Sequence, residues 1–138
     1  MRIFIDTNVL VDMMDAARPN YEASKAILHK AEEEHIVLVL TGLTIVNALY
    51  AIRKSGYDKQ FSRSVVDIIL RIAEIASTDR VQLQAALDGE WTDYEDAVQY
   101  QAALTAGKVQ AIITSDKKGF KDSQLPVLSP DSFIERYH

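Results

Sequence analysis

Short apolar runs alternate with longer stretches of helical periodicity along this chain. Arg2–Ile5, Ile36–Leu40 and Ala111–Thr114 are compact apolar runs bounded by polar residues or glycine. That is the pattern of parallel strands buried on both faces. Val127–Leu128 is a shorter run of the same kind, and Ala73–Ala76 reads equally as a strand or as the tail of a helix. Helical patterns fill the gaps. Thr7–Met14 is short, and Tyr21–Glu34 carries Ala23, Ala26, Ile27 and Ala31 on one stripe. Leu43–Arg53 is apolar almost all round, which predicts a buried helix. Asp58–Ile72 places Phe61, Val65, Ile68, Ile69 and Ile72 at helical spacing. Arg80–Leu87 follows the cap candidates Thr78 and Asp79. Thr92–Ala106 opens on Thr92-x-x-Glu95, a capping-box pattern, and stops at Gly107. Ser129-Pro130 starts a last helix, with proline at the first helical position. The alternation predicts a doubly wound α/β fold: a parallel sheet of about five strands with helices on both faces.

Composition narrows this to one class. At 138 residues the chain fits a single domain, 1–138, with one core. It has no cysteine, so disulfides and thiolate zinc sites are excluded. The three histidines, His29, His35 and His138, make no metal-binding spacing. No apolar run approaches the roughly 20 residues of a membrane span, and Asp6 interrupts the first apolar stretch before it could serve as a signal peptide. The expectation is a soluble, cytoplasmic protein with no membrane partner. The formal net charge of −5 argues against a general nucleic-acid binder, which is usually basic. A metal-dependent nuclease escapes part of that objection, since its site is acidic before the metal arrives. Local basic patches remain at Arg53-Lys54 with Lys59 and Arg63, and at Lys117-Lys118 with Lys121. Each reads equally as a solvated helix surface.

The candidate chemistry lies in the acids. Asp6 ends the first apolar run, and Asp116 follows the run Ala111–Thr114 by two residues. Asp96, with Asp93 three residues before it, lies at the start of the helical stretch TDYEDAVQYQAAL. In an open α/β sheet, sites form at the carboxyl ends of the strands. Acids converging there repel one another unless a cation sits between them. Hard divalent ions such as Mg²⁺ take carboxylate oxygens and water, an arrangement suited to cutting phosphodiesters. Each acid also has a plain structural reading. Asp6 and Asp116 are good helix N-caps, and Asp93 and Asp96 favourably face a helix dipole. The joint pattern, three elements each bringing an acid to one sheet edge, favours the metal. Thr7, Asn8, Thr114 and Ser115 add short polar groups able to orient carboxylates or water.

With these residues in hand, the chain resembles the PIN-domain superfamily, the fold of VapC-type toxins and other metal-dependent ribonucleases. The resemblance covers essentially the whole chain. It rests on Ile5-Asp6-Thr7-Asn8-Val9, on Asp93-Tyr94-Glu95-Asp96-Ala97, on Thr114 through Phe120, and on the closing Val127 through Phe133. It implies a parallel sheet in the order 3-2-1-4-5. It also implies Mg²⁺ or Mn²⁺ held by Asp6, Asp96 and Asp116, with Asp93 as a companion. The departure is Asn47, which stands in Thr44-Ile45-Val46-Asn47-Ala48-Leu49-Tyr50 where the family expects a glutamate. Asparagine is a poor helix-interior residue, so its presence on an apolar helix points to polar surroundings. It is expected to orient water at the ion, in a site with one charge fewer; a satisfied buried asparagine is the plain alternative.

The leading expectation is therefore an endoribonuclease of single-stranded RNA, dependent on Mg²⁺ or Mn²⁺ and acting as the toxin of a toxin–antitoxin pair. The resemblance implies an antitoxin protein and a second copy of the chain as partners. The rival reading is a PIN-fold binding module without catalysis, which Asn47 favours. Acyl-phosphate chemistry at an aspartate fits poorly, since Asp6-Thr7-Asn8 lacks the second aspartate that phosphatases use. Trp91 and Tyr94 could stack a base, although packing at the helix entry explains them as well. Met13-Met14 reads as core or as a dimer surface.

Overall fold

The computed structural model describes residues 1–137; His138 lies outside the described residues. Five parallel strands form one sheet: β1 Arg2–Ile5, β2 Val37–Thr41, β3 Ala73–Ala76, β4 Ala111–Ile113 and β5 Val127–Leu128. Their order is β3-β2-β1-β4-β5, with β1 in the middle. The register sets Phe4 beside Val39 on one side and beside Ile112 on the other. Because side chains alternate along a strand, this register sorts the core into two halves. Ile3, Ile5, Leu38, Leu40, Ala111 and Ile113 pack on one face, and Phe4, Val39 and Ile112 on the other. Both faces are dry, which is why the strands read as continuous apolar runs.

Seven α-helices cover the sheet among the described residues: α1 Thr7–Met14, α2 Tyr21–Glu32, α3 Gly42–Lys54, α4 Lys59–Ile72, α5 Arg80–Asp88, α6 Tyr94–Ala106 and α7 Pro130–Arg136. A 3₁₀ turn occupies Lys117–Phe120. The N-termini are set by local hydrogen bonds. Asp58 caps α4 by accepting from the Phe61 N–H, Ser129 caps α7, and Asp79 and Gln82 form a reciprocal capping box on α5. α6 departs from the expectation. It begins at Tyr94, two residues later than the Thr92 box predicts, because Asp93 is the N-cap and accepts from the Asp96 N–H at 2.9 Å. Aspartate is the stronger cap competitor, and its success releases Glu95 from any capping role.

α3 also departs from expectation. It buries only Thr44, Ala48 and Ile52, while Val46 and Tyr50 on the opposite side are 64% and 70% exposed. The apolar composition that predicted full burial is shared between the core and the surface. In α1, by contrast, Val9, Leu10, Val11 and Met13 are all buried, so Met13 belongs to the core. Burial of each such side chain contributes about 1.5–3 kcal/mol. None of the helices among the described residues is long and apolar enough to cross a membrane.

Candidate metal centre

β1 and β4 are neighbours, so the residues that leave their carboxyl ends meet. The Asp6 N–H donates to the Ile113 carbonyl at 3.0 Å, extending the ladder one step past the strands. Asp6 then turns into α1 and does two things with its carboxylate. Oδ1 accepts the Thr7 N–H at 2.8 Å, as an N-cap would, and Oδ2 accepts the Thr114 hydroxyl at 2.7 Å. Thr114 Oγ1 also accepts the Asp116 N–H at 3.0 Å, so one buried hydroxyl fixes two of the acids. Asp116 precedes the 3₁₀ turn, yet its side chain makes no capping hydrogen bond there. The capping reading therefore holds in part for Asp6 and fails for the Asp116 carboxylate, while Asp93, expected to face the helix dipole, is the N-cap of α6.

The electrostatics tie these acids together. Burial is the largest influence on Asp6 and raises its carboxyl above the ordinary value, against the pull of the Thr114 and Thr7 hydrogen bonds. Asp116 and Asp93 push it further the same way. Asp96 is pushed up to about 7, first by burial and then by the negative charges of Asp93, Asp6, Asp116 and Glu95. Acids from three separate elements thus share one field. Asp93, Asp96 and Asp116 line a pocket of about 370 Å³ together with Lys118, Lys121 and Trp91. The Trp91 ring stacks on Tyr100 at 4.6 Å and meets Phe120 edge-on, so its packing role is realised. Tyr94 donates its hydroxyl to the Leu83 carbonyl.

Whether a divalent ion suits these residues can be judged from the structure. Among the described residues, no three acids stand in direct ligating geometry for one ion. Mg²⁺ in particular retains several waters and takes only one or two carboxylates directly, so a looser arrangement suits it. Two observations support the fit. Thr7 Oγ1, next to Asp6, is buried with no hydrogen-bond partner, and such an atom calls for water or an ion. Gly119 closes over the acids so tightly that a Cβ there would lie 2.5 Å from Asp96 Oδ2 and 3.4 Å from Asp116 Oδ2. The two carboxylates therefore face one point, and the backbone approaches it as only glycine permits.

Asn47 donates its amide to Glu95 Oε1 at 3.0 Å. A carboxylate only accepts, so this pairing fixes which end of the amide faces Glu95. Below it, a buried network joins the same helices: Thr41 donates to Gln99 Oε1, and Gln99 Nε2 donates to Thr44. Sequence reasoning missed Glu95, which it had assigned to a capping box. It also missed Asp12, a buried acid that accepts from Arg18 Nε at 2.5 Å and from the Ser115 hydroxyl at 3.3 Å. An acid inside the apolar stretch Val9–Met13, six residues before an arginine, was the available signal. Through Ser115 this pair steadies the loop that carries Asp116. A cavity of about 610 Å³ lies elsewhere, between α3 and α4. Leu49, Tyr50, Val66 and Leu70 line it beside Arg53, Lys59 and Arg63, and none of the clustered acids reaches it.

Comparison with known proteins agrees with this geometry. A family model described as PIN domain matches residues 2–118. Ribonuclease VapC1 of Aquifex aeolicus (strain VF5) is 27% identical over 142 residues, covering 99% of this chain and 96% of that protein. Among solved structures, Mycobacterium tuberculosis VapC20, described as a sarcin-ricin loop cleaving toxin, aligns with a TM-score of 0.69 at 12% identity over 87% of this chain and 94% of its own. Rickettsia felis VapBC2, bound to a DNA fragment from its promoter, aligns at 0.65 and 17% identity over 94% and 98%. At such identities the structural likeness speaks for the fold.

Proposed function

The chain belongs to the PIN-domain family, and from that premise we propose that it is an endoribonuclease of single-stranded RNA, dependent on Mg²⁺ or Mn²⁺ and acting in the cytoplasm as the toxin of a toxin–antitoxin pair. The observation that carries the reading is the shared field at Asp96, whose carboxyl is held near 7 by burial and by acids from other elements. Asp6, Asp96 and Asp116 would hold the ion, directly or through water, with Asp93 beside them. A divalent ion there supplies Lewis-acid activation of water and neutralises charge on the phosphate. The protein's own part is positional. Thr114 orients Asp6 and the Asp116 backbone. Lys118 and Lys121, on the wall of the acidic pocket, offer cations to RNA phosphates. The names of the VapC relatives support RNA as substrate and a toxin's role, and with that role goes an antitoxin protein as partner. A homodimer is also part of the reading, supported by the exposed Val46 and Tyr50 on α3; sedimentation as a monomer at micromolar concentration would exclude it.

Asn47, in place of the acid the family resemblance implies, favours a second reading, a PIN-fold module that binds without cutting. One experiment separates the two. The purified protein should cleave single-stranded RNA with Mn²⁺, stop with chelator, and lose at least about a hundredfold in rate as Asp6→Asn, about 2.7 kcal/mol of transition-state stabilisation. RNA or protein binding with no cleavage in any divalent ion would leave only the binding module standing.

A further inference from the structure

We propose that Glu95 joins Asp6, Asp93, Asp96 and Asp116 as an acid of the centre and stands in for the carboxylate absent at position 47, with Asn47 holding it in place. The inference rests on the metal-dependent reading above and adds a residue to it.

α3 and α6 pack on opposite faces of the sheet and are joined by two rungs of side-chain hydrogen bonds. Gln99 and Thr44 form the buried one, and Glu95 and Asn47 form the outer one, three to four residues along each helix. Residues at that spacing share a helix face, so the buried rung sets the outer one in register. A glutamate at position 47 would meet Glu95 across this rung, and two like charges there would repel. The chain instead carries one carboxylate and one amide donor. The negative charge is kept at the rung, on the α6 side of it.

Glu95 is well suited to this part. It sits in the first turn of α6, adjacent to Asp96, and its charge is among those acting on Asp96. The cap on α6 is Asp93, so Glu95 is not needed to close the helix end. Asn47 holds Oε1 only, leaving Oε2 for an ion or its water. A long exposed side chain normally loses conformational freedom when it engages a ligand, and the Asn47 hydrogen bond has already restricted this one.

The test uses Glu95→Gln, which keeps an oxygen to accept from Asn47 and removes only the charge. Wild type, Glu95→Gln, the double variant Asn47→Glu with Glu95→Gln, and Asp96→Asn are titrated with Mn²⁺ by calorimetry in one buffer. Their metal-free melting temperatures serve as a check on folding. Glu95→Gln should weaken Mn²⁺ binding by about tenfold, as expected for losing one nearby charge. The double variant, with its carboxylate back on α3, should recover to within about threefold of wild type. An unchanged affinity in Glu95→Gln, while Asp96→Asn loses binding, would overturn the role of Glu95 alone. Absence of Mn²⁺ binding by the wild type would overturn the metal reading and this inference with it. Failure of the double variant to recover would place the Glu95 effect outside charge replacement and likewise overturn the substitution.

Discussion

Thr114 donates its hydroxyl to Asp6 Oδ2 at 2.7 Å, joining residues 108 positions apart at the carboxyl ends of adjacent strands. Both residues are buried, so neither group has water to fall back on. Thr114→Val keeps the shape and deletes the donor. Leaving a buried acceptor unsatisfied costs about 1–3 kcal/mol. The Asp6 carboxyl should also move further above its ordinary value, since this bond now pulls it down. The expected outcome is a lower denaturation midpoint together with weaker Mn²⁺ binding at neutral pH. A variant as stable as wild type would show that the bond contributes nothing.

Gly119 should be intolerant of any side chain. The Cβ of Gly119→Ala would fall 2.5 Å from Asp96 Oδ2 and 3.3 Å from its Cγ. Aspartate is short, so the carboxylate must swing away from the point it shares with Asp116. Mn²⁺ affinity should drop by about tenfold or more, by the same loss of a nearby charge, while the far-ultraviolet circular dichroism stays native. A crystal structure of the variant with Asp96 unmoved would refute the argument.

The pH dependence follows from Asp96. Its carboxyl is raised from the ordinary aspartate value to about 7 in the folded protein. Between those two values the folded state holds a proton that the unfolded state has released. Metal-free stability must therefore fall as pH rises from about 4 toward 7, and level off above. Mn²⁺ displaces that proton, so its affinity should climb over the same range and plateau above pH 7. Melting curves with and without Mn²⁺ at pH 5 and pH 8 check both: the metal-induced rise in melting temperature should be larger at pH 8. An equal rise at the two pH values would count against a protonated Asp96.

What could be read in advance divides along physical lines. β1, β2 and β4 were legible to within a residue, because burial on both faces leaves unbroken apolar runs. β3 was ambiguous: its Glu74 and Ile75 are exposed, so its pattern carries little of that signal. Asp6, Asp96 and Asp116 stood out because each follows or begins an element at one sheet edge, a fact of topology that sequence order reveals. Glu95 was hidden by a competing local pattern. The Thr92-x-x-Glu95 spacing is a sound capping box, and only the success of Asp93 as the cap frees Glu95 for Asn47. Asp12 was hidden by its neighbours, since nothing in a single helix tells that Arg18 folds back upon it. Local chemistry was readable, and contacts between α3 and α6 were not, because no sequence interval encodes the register of two helices packed across a sheet.

The central place of β1 also bears on how the chain must be made. A polypeptide emerges from its N-terminus onward, so β1, β2 and β3 are available long before β4. Until residues 111–113 arrive, the far side of β1 is an open strand edge flanked by Ile3, Phe4 and Ile5, the kind of edge on which other chains nucleate. The segment that seals that edge also brings Thr114 to Asp6. A nascent chain therefore spends most of its synthesis sticky and without its acidic centre, and the same closing step protects the sheet and arms the site.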